Sequence, residues 1–353
     1  MKKVIFLAIA AAAALTACSK SEVVDSSVMN KAISFENYIG KDAQTKASVV
    51  EKADIPFVYV NAYLHEKESV NGADFEATFM NKQEVDIEGN YSPMRYWPAE
   101  DQAIDFVAWV PETTTTGDAV TAVENNIKVE NATLTFAVPE DVTKQTDLIV
   151  SGSQLDKNGG NVSLVFEHLL SRIGFQINAA GLPNDAVTKV KLESIVLNGT
   201  FASEGTVDML AKSPVITAVA EKVTPAYTLL GEHFSYTDNI IANRETLNNE
   251  NAYIMLIPDT NVPTDITVTY KIETYKDGEL AGTITNTKTF EIAEPYVAGY
   301  AYKYIFNVSL NAITFSVDVT KWDETTPDVE INPEDKPATG DESEDPAQGE
   351  QGA

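Results

Sequence analysis

The chain has 353 residues, room for two ordinary domains of about 100–200 residues each. Hydrophobic residues make up 44% of it and aromatics 9%, so packed cores can form, and a lone cysteine excludes an internal disulfide. A formal net charge of −28 repels phosphate backbones and anionic lipid surfaces, which argues against nucleic-acid binding.

At the N-terminus, Lys2 and Lys3 precede an apolar run from Val4 to Leu15, followed by Thr16, Ala17 and Cys18. A charged start, a short apolar stretch and small residues at the cut describe a secretory signal peptide, predicted here over residues 1–17. The run is too short to cross a bilayer core of about 30 Å as a helix. Leu15-Thr16-Ala17-Cys18 resembles the bacterial lipobox, in which the cysteine is lipidated and becomes residue one after cleavage. Cys18 is therefore the expected lipid attachment point, and the remainder is expected to be exported. Ser19 to Met29, polar and short of large side chains, reads as a tether.

From "KAISFENYI" (31–39) onward, β-branched and aromatic residues are dense and turn signals recur. "VFEHLLSRIGF" (165–175) fits helix or strand, but clear strand patterns flank it. "DITVTYKIETYKDGELAGTIT" (265–285) reads as a hairpin turning at Lys276-Asp277-Gly278. In "YAYKYIFNVSL", Tyr300, Tyr302, Tyr304, Phe306, Val308 and Leu310 share one face. In "ITFSVDVT", Ile313, Phe315, Val317 and Val319 alternate with Thr314, Ser316, Asp318 and Thr320. "DKNGGN" (156–161) and "LPND" (182–185) are further turns. The expectation is an all-β chain of two β-sandwich domains, 47–158 and 159–322. Residues 323–353 hold eleven acidic residues, four prolines and no aromatic, so a disordered acidic tail is predicted, with strand-like alternation only in "DVEIN" (328–332).

Little in the sequence points to catalysis. His65, His168 and His233 lie far apart, with no nucleophile elbow, P-loop or HExxH motif beside them. His168 sits in an apolar stretch and reads as a packed structural residue. "DKNGG" lacks the ligand series of a calcium loop and reads as a turn. Tyr96, Trp97 and Trp109 would suit a glycan if they formed an exposed platform. Phe106 and Ala108 oppose Val107 and Trp109 on one strand, however, so a core strand is preferred. No cofactor, metal or enzymatic activity is expected.

Several stretches in order carry a resemblance: "YWP" (96–98), "IDFVAWVP" (104–111), "QTDLIVSG" (145–152) and "VSLVFEHLLSRIGFQI" (162–177), then "IVLNGTFASEGTVD" (195–208), "AYIMLIP" (252–258) and "GYAYKYIFNVSLNAITFSVDVTKW" (299–322). Behind a lipobox, this set resembles the Mfa-like fimbrillin family, the pilins and related surface proteins of type V pili. The resemblance implies two transthyretin-like β-sandwich domains in series. It further implies that a trypsin-like protease removes an N-terminal segment with its first strand, and that another pilin subunit's strand replaces it. Ile33 and Phe35 then belong to the plug strand within the 18–46 propeptide. Lys46 before Ala47 is the favoured cut, with Lys41 second. Ile313, Phe315, Val317 and Val319 form the candidate donor strand.

The leading expectation is thus a fimbrial adhesion subunit at the cell surface, whose partners are other pilins, a processing protease and the outer membrane through lipid. The competing expectation is a permanently anchored monomeric lipoprotein that binds a glycan or host ligand, with 313–322 closing its own domain.

Overall fold

The computed structural model describes residues 31–39, 55–67, 79–116, 119–181, 187–219, 223–230, 240–241, 246–248, 253–258, 265–292, 295–309 and 313–321. The signal peptide, Cys18, Lys41, Lys46, Ala47, the "LPND" turn, "DVEIN" and the acidic tail lie outside the described residues. Among those described, strands dominate, and the one helical element is the 3-10 turn Val142–Lys144.

The first sheet has seven strands. Their order is Ser34–Ile39, Asn161–His168, Ile149–Ser151, Gln102–Trp109, Phe57–Glu66 and Met80–Asp86, with Gln154–Lys157 also paired to Gln102–Trp109. Four of these are named here for their places: the opening strand (Ser34–Ile39), the receiving strand (Asn161–His168), the central strand (Gln102–Trp109) and, in another sheet, the closing strand (Ile313–Lys321). Every residue of the central strand after Gln102 is buried, because each face of it meets a core. Ile104, Phe106 and Ala108 point into a first cluster with Ile33, Phe35, Val60, Leu164 and Phe166. Val107 and Trp109 point the other way, into a second cluster with Leu134, Phe136, Phe175 and Phe306. Period-two alternation in one strand therefore separates two cores.

The second cluster fills a sandwich of two five-stranded sheets. One runs Thr246–Asn248, Ser171–Gly181, Tyr300–Ser309 and the closing strand, with Ile254–Leu256 paired to Ser171–Gly181. The other runs Val223–Leu230, Thr188–Ala202, Asp265–Lys276 and Glu279–Glu291, with Ile240–Ile241 paired to Thr188–Ala202. Facing side chains meet between them, as where Phe290 lies with its ring centroid 5.4 Å from that of Phe306. The turn between Asp265–Lys276 and Glu279–Glu291 is Asp277-Gly278, both with positive φ (53° and 85°), as the Asp-Gly signal predicts for a two-residue hairpin.

The ambiguous run 165–175 proves to be two strands meeting at Leu169 and Leu170. Asn161–His168 completes the first sheet, and Ser171–Gly181 is the axis of the second. The expected junction at 158/159 accordingly falls ahead of a strand that belongs to the first sheet. A further sheet, Ile216–Ala218, Glu204–Asp208, Thr133–Ala137 and Ile127–Glu130, draws strands from both expected domains. One hydrophobic cluster takes residues from both sides of 158/159.

Phe106, fully buried, meets Phe35 and Trp97 edge-on at 5.7 and 5.9 Å. Phe106→Ala is expected to lower stability by about 3–5 kcal/mol through lost transfer energy and the cavity left behind. Urea denaturation checks this.

Candidate functional site

The opening strand is the edge of the first sheet, paired in parallel along the receiving strand from Ser34↔Asn161 to Ile39↔Phe166. Just before it, the Ile33 N–H donates to the Arg95 carbonyl (2.9 Å) and the Trp97 N–H to the Lys31 carbonyl (3.1 Å). The segment is thus pinned from two sides. Alternation decides which side chains enter the core: Ile33 is 1% exposed and Phe35 4%, whereas Ser34 is exposed. Burying two such side chains is worth about 1.5–3 kcal/mol each. The predicted plug residues therefore fill the first core.

Polar contacts fix the register. Ser34 Oγ donates to Asn161 Oδ1 (2.6 Å), and Asn161 Nδ2 donates to Glu36 Oε1 (2.5 Å). Tyr91 Oη donates to the Ile33 carbonyl (3.0 Å), while its ring meets Phe35 edge-on at 5.3 Å. Asn37 Nδ2 donates to the Asp86 carbonyl (2.9 Å). Beneath Phe35 lies Gly89, with φ of +93°, and a Cβ there would sit 2.2 Å from the Phe35 carbonyl oxygen. Burial pushes the Asp86 carboxyl up, but hydrogen bonds from Asn90, Glu88 and Gly89 outweigh it and hold the group below its ordinary 3.8. A carboxylate held low when folded adds stability that is lost as pH falls through its folded value. The turn that seats Phe35 should therefore loosen only in acid below 3.8. Gly89, Tyr91 and Asn37 escaped the sequence reading, since nothing in the order of residues brings 86–91 against 33–37.

The closing strand is also an edge. It pairs antiparallel with Tyr300–Ser309 of its own chain, from Tyr300↔Lys321 to Val308↔Ile313. Ile313 is buried, but Phe315, Val317 and Val319 are only partly buried against the second cluster. Three of the four predicted donor residues are thus half-covered in place.

The aromatic trio does not form a platform. Trp97 (5% exposed) belongs to the first cluster and Trp109 (2%) to the second, because each lies on an inward face. Tyr96 alone of the three is exposed. His168 is buried with Nδ1 against Asp147 Oδ2, as a structural histidine, and His233 lies outside the described residues. His65 lies beside Asp105 and Asp156, a grouping that sequence distance hides.

The sequence model for fimbrillin-like proteins matches residues 57–322. The chain belongs to the fimbrillin-like family. Among solved structures, this fimbrillin-like chain is similar to a fimbrial protein from Bacteroides vulgatus, at 17% identity and a TM-score of 0.61, over 83% of this chain and 100% of that one. It is also similar to a candidate cell adhesion protein from Bacteroides uniformis, at 16% identity and a TM-score of 0.45, over 82% and 98% of the two chains. Among curated proteins, none matches this sequence. The first likeness supports the all-β fold. The opening strand precedes the matched residues, and the closing strand ends them.

Gly89→Ala should displace the opening strand while leaving the central strand in place. Faster amide exchange at 34–39 with unchanged protection at 102–109 is the expected result by hydrogen-exchange mass spectrometry.

Proposed function

We propose that the chain is a fimbrial adhesion subunit, exported as a lipoprotein through Cys18, cut after Lys46 and assembled by strand exchange. The observation that carries this reading is the edge position of the opening strand. Its removal would bare the N–H and C=O groups of the receiving strand beside the pockets of Ile33 and Phe35. An unpaired edge with apolar pockets is a template for an incoming strand, whose main chain restores the ladder and whose alternate side chains fill the trench. While attached, the opening strand holds that place at an effective concentration no free strand matches. A cut at Lys46 separates it covalently from the body, and Cys18 leaves with it.

The closing strand suits the vacancy in sequence. Ile33-Ser34-Phe35 and Ile313-Thr314-Phe315 carry the same apolar residues at the same spacing, with a small hydroxylated residue between. In its own sheet Phe315 is only partly buried, whereas the pocket of Phe35 covers its occupant almost fully. Transfer from an edge to that pocket therefore gains apolar burial. A second reading rests on the unbroken pairing of the closing strand with Tyr300–Ser309. If that strand stays home, the subunit is a terminal or permanently anchored surface protein.

Limited trypsin digestion of the lipid-free chain is expected to cut at Lys46, and the Lys46→Ala variant to resist there, as read by mass spectrometry. After the cut and exchange of residues 19–46, a synthetic peptide of residues 313–321 should bind the body, and the same peptide with Phe315→Asp should not. Placing the change in the peptide leaves the folded chain untouched. A cut chain that stays monomeric and refuses the peptide would overturn exchange through this strand.

A further inference from the structure

Three neighbouring strands of the first sheet bring together side chains that are distant in sequence. His65 lies on Phe57–Glu66, Asp105 on the central strand and Asp156 on Gln154–Lys157. Tyr63 pairs with Asp105 and His65 with Ala103, so His65 and Asp105 are diagonal neighbours on one face. Between Gln154↔Phe106 and Lys157↔Ile104 the register shifts, and Asp156 takes a φ of 53°. Its N–H donates to Asp105 Oδ1 at 2.7 Å. This irregularity turns the Asp156 carboxylate toward His65.

The imidazole is held in one tautomer. Nδ1 lies 2.9 Å from the Glu66 carbonyl oxygen, and a carbonyl only accepts, so Nδ1 carries a proton. Nε2 then faces Asp105 Oδ1 at 3.1 Å and Asp156 Oδ1 at 3.7 Å. It is buried and makes no aligned hydrogen bond, on a side chain only 10% exposed. The lone pair of a neutral imidazole would repel two carboxylate oxygens; a proton on Nε2 or a metal cation among the three atoms reverses the sign.

We propose that His65 Nε2, Asp105 Oδ1 and Asp156 Oδ1 form a three-ligand site for a divalent transition-metal ion, with zinc the best fit. Ligands about 2.0–2.1 Å from a tetrahedral zinc lie roughly 3.3–3.4 Å apart, and the two edges at His65 bracket that spacing. All three atoms lie within 4.8 Å of one another. Calcium takes six to eight oxygens and magnesium holds its water, whereas imidazole with carboxylate suits zinc and its neighbours. The supporting contacts match such a site: a carbonyl takes the other ring proton, and a backbone N–H orients a ligating carboxylate. Asp105 is 5% exposed and Asp156 70%, so water completes the fourth position from the Asp156 side. The ion would clip the irregular strand just before the Asn158-Gly159-Gly160 turn into the receiving strand. The site is independent of the fimbrial reading.

The acidic surface will take up zinc weakly elsewhere, so the test needs a local readout. The full chain, stripped with chelator and titrated with zinc chloride, is followed by the nitrogen resonances of His65 and by competition with a zinc dye. The expected result is one equivalent bound tightly, a shifted His65 Nε2 and an unmoved protonated Nδ1. His65→Gln and Asp156→Asn should each weaken that site by more than about tenfold, with unchanged far-UV circular dichroism. Parent-like binding in both variants would overturn the proposal. So would a His65 doubly protonated at neutral pH and indifferent to zinc, which assigns the cluster to an ion pair.

Discussion

The architecture depends on a single strand that cannot face water. Because Ala103 to Trp109 are buried on both sides, the first sheet must carry a core on each face. One core is closed by the sheet's own edge and the 87–97 segment, through Ile87, Trp97 and the opening strand. The other is shared with the far sandwich. An edge strand that supplies Ile33 and Phe35 to the first core is therefore part of the fold's closure, although one neighbour holds its ladder.

Continuity of the chain ties that edge to the rest. The receiving strand runs through Leu169 and Leu170 directly into the strand Ser171–Gly181, the axis of the second sandwich. On the far side of that sandwich, the closing strand is again an edge held by one neighbour. The molecule thus presents an edge strand with buried side chains at one place and a half-covered edge strand of similar pattern at another. The proposed head-to-tail assembly would use these two features on one subunit, because a heterologous contact that does not close on itself builds a fibre.

Much of this was legible in the residues. Alternation in 300–308 and 313–319, the Asp-Gly hairpin and the two-faced apolar strand 102–109 each report a period of two, which local sequence carries directly. The burial of Ile33 and Phe35 was legible for the same reason. The division at 158/159 was not, because a turn cluster marks where a chain bends but not which sheet the next strand joins. Burial of the tryptophans was the preferred reading, but which core each would enter was not legible: Trp97 and Trp109 go to different ones.

The sequence by itself determined the class of structure, the strands and their inward residues, since side chains alternate along a strand whatever its partner. Only the tertiary structure decided the partners. It set the opening strand parallel to 161–168, and placed Gly89 under Phe35 and His65 beside Asp105 and Asp156. Those are relations between segments scores of residues apart, fixed by which apolar faces can be covered together, and no local pattern encodes them.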